Sequence, residues 1–208
     1  MVVQHIVGPV SFATLSLPDP SLSVLSYNVL LPNSVDGWWN YKMYNPPLSP
    51  ENEYMSTWDY RKDLLRNRIA QVCADVVCLQ EVAPSSFEDD FAFMAELGYD
   101  GHEMFRKGRF RPATFWKTSV CALAAPPVHK DRTLLTAFTV GDKPWYVLNC
   151  HLQAGKEGKR RVRQINEGVR AVITLARKLK GTCEPASTND TAISHTETQT
   201  QNRKRGSH

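Results

Sequence analysis

The segment DVVCLQEV, residues 75–82, constrains the fold more than any other part of the sequence. Its apolar stretch from Val76 to Leu79 does not alternate with polar residues, which is typical of a strand covered on both faces. The same strand ends in Gln80 and Glu81. Because a bare buried carboxylate is strongly unfavourable, the sequence predicts that Glu81 is paired, protonated or bound to a metal ion.

Hydrophobic periodicity along the rest of the chain predicts an α/β protein with the element order β-α-β-α-β-β-β-β-β-α. The predicted strands span residues 22–31, 75–82, 99–105, 113–117, 120–124, 134–140 and 145–151. The predicted helices span residues 59–73, 84–97 and 159–180, with Asp59 as the N-cap of the first.

Length and composition indicate a single domain, because 208 residues with 42% hydrophobic content are enough for a sizeable core. We expect an N-terminal lead over residues 1–20 and the domain over residues 21–180. Residues 181–208 are rich in Ser, Thr, Asn and Gln and have few large apolar side chains, which predicts a disordered polar tail.

The cysteines and the apolar runs bear on the compartment. Four of the five cysteines lie in apolar segments without metal-binding spacing, which indicates reduced core residues of an intracellular protein. No apolar run approaches the ~20 residues of a membrane span, and residues 1–10 lack a secretory signal pattern. We therefore expect a cytoplasmic location, with the nucleus or an organelle left open.

Polar side chains stand where three predicted strands end, namely Asn28, Glu81 and His151. One edge of an α/β sandwich brings such residues together, and this set suits a magnesium ion and a phosphate. Each residue also has a structural interpretation that spacing alone does not exclude. Asn28 is able to cap a turn, Glu81 to pair with an arginine, and His151 to lie in the core.

Several segments together resemble the endonuclease/exonuclease/phosphatase superfamily. They are LSVLSYNVL, WDYRKDLLRNRI, DVVCLQEV, YVLNCHLQ and RRVRQINE, which occur in this order between residues 22 and 167. Within the superfamily, the chain is most similar to the carbon-catabolite-repressor-type deadenylases and nocturnin. The resemblance implies a four-layer α/β sandwich, in which two mixed sheets lie face to face between helices.

The resemblance also implies roles for the three strand-end residues. Glu81 is expected to bind Mg²⁺, with Mn²⁺ as an alternative, and Asn28 to belong to the same metal–phosphate cluster. His151 is expected to contact the scissile phosphate during attack by a metal-organised water. Two motifs of the superfamily, Gly-Asp-Phe-Asn and a terminal Ser-Asp-His, do not occur in the sequence. We therefore expect the chain to lack the C-terminal third of the domain and to have little hydrolytic activity.

Two basic runs, residues 107–112 and 156–163, flank the predicted strand ends. The second lies at the start of a helix, where positive charges are unfavourable because they oppose the macrodipole. Binding of a polyanionic ligand would explain why basic residues occur there. Arg109, Arg111 and Arg160 are the candidate substrate contacts. A solvated charged surface is the alternative interpretation.

The sequence thus predicts a magnesium-dependent phosphodiester hydrolase most like a 3′-exoribonuclease, with RNA or another phosphoester as substrate. Two alternatives stay open. One is a phosphatase of the same fold that acts on a small phosphorylated molecule. The other is a non-catalytic binding module that kept the fold and lost the catalytic centre.

Overall fold

A computed structural model describes residues 21–32, 48–106, 108 and 110–181. The strands are β1 Val24–Asn28, β2 Val76–Val82, β3 Gly101–Met104, β4 Arg111–Trp116, β5 Ala122–Lys130, β6 Thr133–Val140 and β7 Lys143–Cys150. The α-helices are α1 Trp58–Val72, α2 Phe87–Asp90, α3 Phe93–Glu96 and α4 Gly158–Gly181, and a 3-10 helix, Pro50–Ser56, precedes α1. The predicted lead and all of the predicted polar tail beyond Gly181 lie outside the described residues.

The strands form two sheets. The first has the order β1-β2-β4-β3, with β1 parallel to β2 and the remaining pairs antiparallel, and the second is the antiparallel sheet β5-β6-β7. Strand β2 is covered on both faces, as its unbroken apolar run predicted. Val77 and Leu79 pack into the cluster shared with the helices α1 to α3, whereas Val76 and Cys78 pack toward the second sheet.

Three apolar clusters separate the layers of the fold. The first lies between the helices α1 to α3 and the first sheet, and includes Ile69 and Phe115. The second lies between the sheets, where Trp116 meets Phe138 edge-on at a ring-centroid distance of 5.4 Å. The third joins the second sheet to α4 and includes Leu175. The layers are helices, sheet, sheet and helix, which confirms the predicted four-layer α/β sandwich.

Strand β1 differs from the prediction of a core strand over residues 22–31. It spans five residues and most of its side chains are exposed, including Val24 and Tyr27 at 47% and 42%. The physical reason is its place at the edge of the sheet, since β2 is its one neighbour among the described strands.

The predicted helix over residues 84–97 is instead two single turns, α2 and α3. Phe91 and Phe93 are both buried in the first apolar cluster. In one continuous helix, residues two apart point to opposite sides, so the break at Phe91–Ala92 lets both rings reach the core.

Several other element boundaries also differ from the predictions, and the structure explains two of these differences. Helix α1 begins at Trp58, and its N-cap is Thr57 instead of the predicted Asp59. The Thr57 side chain accepts a hydrogen bond from the Tyr60 N–H at 3.4 Å. Strand β5 runs to Lys130, six residues past its predicted end, through two prolines. Prolines are tolerated there because β5 is an edge strand with irregular register. No described helix has the length and apolarity needed to cross a membrane.

Candidate active site

The structure brings Asn28, Glu81 and His151 together at one edge of the two sheets. The Asn28 Nδ2 donates a hydrogen bond to the Glu81 Oε1 at 2.8 Å, across 53 residues of sequence. The His151 Nε2 lies 3.9 Å from the same Oε1, and the side chains of His151 and Glu81 are 20% and 18% exposed. Asn28 and His151, predicted from two other strand ends, therefore both lie at the largely buried carboxylate of Glu81.

A β-bulge orients Glu81. Leu79 pairs with Ala113 and Val82 pairs with Arg111, so Gln80 and Glu81 together oppose a single residue of β4. Such bulges bend the strand and re-aim side chains. The φ of Glu81 is +65°, a left-handed conformation that costs an L-residue roughly 1–2 kcal/mol. Unfavourable backbone conformations of this kind cluster at functional sites, where they are part of the mechanism.

The amide of Asn28 is held from both ends. Its Oδ1 accepts a hydrogen bond from the Leu30 N–H at 2.9 Å, which closes a turn after β1. Arg61 of α1 donates from Nη1 to the Val29 carbonyl at 2.8 Å and holds the same turn. Asn28 thus caps a turn, as its structural interpretation required, and also presents its Nδ2 to Glu81.

A buried pair, Gln80 and Asn149, joins the sheets next to the site and was not singled out from the sequence. The Gln80 Nε2 donates to the Asn149 Oδ1 at 2.9 Å, and the Asn149 Nδ2 donates to the carbonyls of Leu79 and Ala113 at 3.1 and 2.8 Å. Gln80 precedes Glu81 by one residue and Asn149 precedes His151 by two. The one sequence signal for Asn149 was a polar residue within the apolar run of β7.

His151 is held by the turn between β5 and β6, where its backbone N–H donates to the Arg132 carbonyl at 2.9 Å. Burial lowers the pKa of His151 below its usual 6.5. The Glu81 carboxylate raises that pKa, and the charges of Arg132 and Arg111 lower it. The imidazole is therefore neutral at neutral pH and carries a single ring N–H.

The basic candidates have different surroundings. Arg111 begins β4 and donates from Nη1 to the Asp131 carbonyl at 2.9 Å, at the turn that also holds His151. Arg160 of α4 lies with its Nη2 3.9 Å from the Asp131 Oδ2. Arg109 lies outside the described residues. Substrate contact by any of the three stays a prediction.

Helix α4 fixes the loop after His151. Gln164, which is 1% exposed, accepts from the Gln153 N–H at 3.0 Å and donates to the Asp131 Oδ2 at 2.7 Å. Arg161 donates to the carbonyls of Gln153 and Gly155 at 3.3 and 2.6 Å. Part of the basic run at this helix start therefore serves the loop itself.

The donor set of the site suits a hydrated hard cation more than a fully protein-coordinated one. In the described part of the chain no three His, Cys, Asp or Glu side chains converge as metal ligands. The Glu81 Oε1 accepts from Asn28, and no described residue donates to its Oε2. Mg²⁺ keeps several waters and takes one or two carboxylates, so a single carboxylate with one open oxygen fits it.

Comparison with known proteins gives the family. The sequence profile described as the Endonuclease/Exonuclease/phosphatase family matches residues 25–176. The chain belongs to the endonuclease/exonuclease/phosphatase family. The matched region begins in β1, ends in α4 and contains Asn28, Glu81 and His151. Members of this family are hydrolases that act on phosphoester bonds.

Two curated relatives are of the Ccr4 type, as the resemblance stated from the sequence implied. The CCR4-Not complex 3′-5′-exoribonuclease subunit Ccr4 of Mycosarcoma maydis is 34% identical over 82 residues, which cover 39% of this chain and 11% of the relative. Carbon catabolite repressor protein 4 homolog 2 of Arabidopsis thaliana is 33% identical over 112 residues, which cover 54% of this chain and 17% of the relative. The chain thus spans less than a fifth of either relative.

A solved structure supports the fold. The crystal structure of ANGEL2, a 2′,3′-cyclic phosphatase, matches with a TM-score of 0.62 and 24% identity. The match covers 74% of this chain and 48% of ANGEL2.

Proposed function

We propose that Asn28, Glu81 and His151 form part of the active site of a magnesium-dependent phosphodiester hydrolase that acts on RNA, most like a 3′-exoribonuclease of the deadenylase type. The observation that carries the proposal is their convergence, with Asn28 and His151 both placed at the Glu81 Oε1. The two relatives named above, of the Ccr4 type and at 33–34% identity, support RNA as the substrate.

Each of the three side chains has a distinct role in this proposal. Glu81 would hold the Mg²⁺ ion, or Mn²⁺ in its place. When bound, such an ion supplies positive charge against the phosphate and lowers the pKa of a water. Asn28 keeps the carboxylate in place through its 2.8 Å hydrogen bond. The neutral His151 donates its ring N–H to a phosphate oxygen, where it stabilises the charge that develops in the transition state.

The amount of activity in this chain is a separate expectation. The Gly-Asp-Phe-Asn and Ser-Asp-His motifs implied by the resemblance do not occur in the sequence. The groups that would position the attacking water are therefore not supplied by it, and proper positioning accounts for a large part of a catalysed rate. We expect metal binding together with little turnover of oligoadenylate. Robust turnover by the 208-residue chain that His151→Ala abolishes would contradict this expectation.

Metal binding tests the proposal directly. Isothermal titration calorimetry with Mn²⁺ is expected to show one binding site. We expect Glu81→Gln to weaken the Mn²⁺ affinity of this site by about tenfold or more. The matched control is Glu96→Gln, because Glu96 of α3 pairs with Arg66 in the outer helical layer. Equal Mn²⁺ affinity of Glu81→Gln and the unmodified chain would overturn the role of Glu81.

Salt dependence separates RNA from a small phosphoester as the ligand. A polymer contacts several cations, so its affinity falls steeply with salt, whereas a small phosphoester gives a shallow slope. Binding of oligoadenylate to the chain is measured by fluorescence anisotropy at several salt concentrations. Binding that ignores both Mg²⁺ and Glu81→Gln supports the non-catalytic binding module.

A further inference from the structure

The turn between β5 and β6 anchors two arginines beside His151, and Arg132 is one that the sequence did not single out. The Arg132 carbonyl accepts from the His151 N–H at 2.9 Å, so the residue is tied to the site through its backbone. Arg111 is tied to the same turn by its Nη1, which donates to the Asp131 carbonyl at 2.9 Å. Both residues are partly buried.

The carboxylate of Asp131, the acidic residue of this turn, contacts side chains of helix α4 rather than those of the two arginines. The Asp131 Oδ2 accepts from the Gln164 Nε2 at 2.7 Å and lies 3.9 Å from the Arg160 Nη2. Within the described residues, neither Arg111 nor Arg132 has a carboxylate within the 4.0 Å of a salt bridge.

The two guanidinium groups have unused donors. The Arg132 side chain makes one long hydrogen bond, 3.5 Å from its Nη2 to the Gln153 Oε1. Arg111 stacks on the Phe105 ring at 4.7 Å, and its Nε is buried without a hydrogen-bond partner.

The charges of the pair also act on each other. Burial is the main cause that lowers the pKa of Arg111, the positive charge of Arg132 lowers it further, and Asp131 opposes both. Two like charges held beside each other in a partly buried place are stabilised by an anion. Guanidinium groups recognise phosphate by paired, charge-assisted hydrogen bonds.

We propose that Arg111 and Arg132 form a binding site for a phosphate group of the substrate, next to His151, with preference for a doubly charged phosphate monoester over a singly charged diester. This inference rests on the proposed function and deepens it. It adds a recognition element that is separate from the metal at Glu81. The substrate class it implies is a nucleotide or an RNA with a terminal phosphate monoester, and the group bound here is a different phosphate from the scissile diester at His151.

The test is calorimetric titration with inorganic phosphate in the presence of EDTA, at a pH of about 8, above the second pKa of phosphate groups. We expect Arg132→Gln and Arg111→Gln each to weaken phosphate binding by about tenfold. The control is Arg68→Gln, which removes the same charge from α1, where Arg68 contacts Gln71. We expect the control to bind phosphate as the unmodified chain does, and dimethyl phosphate to bind about tenfold more weakly than inorganic phosphate.

Phosphate binding that Arg132→Gln leaves unchanged, or equal affinity for dimethyl phosphate, would overturn the proposal. Arg132→Gln is the decisive variant because it removes one long hydrogen bond from the fold. Arg111→Gln also removes the hydrogen bond that anchors the turn, so it changes both the turn and the proposed site. Since EDTA removes the metal, this result is independent of the Mn²⁺ titration. A chain that binds phosphate but not Mn²⁺ would refute the proposed function at Glu81 and keep the arginine site.

Discussion

Gln80 and Asn149, 69 residues apart in sequence, are joined by a 2.9 Å hydrogen bond between the two sheets. Both residues are largely buried, at 9% and 3% exposure. Gln80 directly precedes Glu81 in β2, and Asn149 of β7 lies two residues before His151. Because each residue also bonds to main-chain carbonyls, the pair sets the relative position of the two strand ends that carry the site.

Asn149→Leu is therefore expected to destabilise the protein. It leaves the carbonyls of Leu79 and Ala113 without this donor, and an unsatisfied buried polar group costs about 1–3 kcal/mol. The free energy of unfolding is measured by urea denaturation. Asn52→Leu is the control, because the Asn52 side chain is exposed and bonds to the nearby Ser49. A loss below about 0.5 kcal/mol, the usual range for surface changes, would contradict the prediction.

The left-handed backbone of Glu81 predicts a conflict between stability and function. Glu81→Gly and Glu81→Ala both remove the carboxylate, but glycine alone adopts the observed φ of +65° without strain. We expect Glu81→Gly to be more stable than Glu81→Ala by about 1 kcal/mol, while both lose Mn²⁺ binding. Thermal and urea unfolding measure the difference. Equal stability of the two variants would show that this backbone is not strained.

Gly101 permits a close approach of β3 to the Trp116 side chain. A Cβ at residue 101 would overlap the Trp116 indole, which packs between the sheets. Gly101→Ala is expected to destabilise the protein by about 1–3 kcal/mol, the range for overpacked cores. Gly158→Ala is the matched control, because the nearest atom to its added Cβ lies at 4.0 Å. Urea unfolding measures both, and equal stability of both would contradict the clash.

Asp100 predicts a defined pH dependence of stability. Hydrogen bonds from the side chain and backbone of Thr118 lower the pKa of Asp100 below its ordinary 3.8. Its contribution is therefore fully present above pH 3.8 and is lost as the pH falls through the folded-state pKa. We expect Thr118→Val to lower the Tm at neutral pH and to have a smaller effect in strong acid.

Calorimetric scans between neutral pH and strong acid measure this difference for Thr118→Val. Ser119→Ala is the control, because Ser119 is the exposed neighbour of Thr118. A Tm difference for Thr118→Val that does not change with pH would assign its effect to packing rather than to the Asp100 carboxylate.

The sequence predicted the structure correctly where a local hydrophobic pattern determines it. The prediction was wrong where contacts with other parts of the fold determine burial or helix length. The apolar run of β2 correctly predicted a buried strand, because one face packs against helices and the other against the second sheet. The prediction of a core strand at β1 was wrong, because burial of a strand also depends on a neighbour on each side. The periodic pattern over residues 84–97 suggested one helix, yet burial of Phe91 and Phe93 together required two.

The sequence by itself determined the α/β class and the order of the strands along the chain. It also determined which polar residues, Asn28, Glu81 and His151, stand where strands end. These features follow from local hydrophobicity and motif order. The tertiary structure alone decided the bulge that turns Glu81 toward Asn28 and the place of Arg132 beside His151. The physical reason is that hydrogen-bond register and sheet-on-sheet packing join residues far apart in the chain, and neither leaves a periodic trace in the sequence.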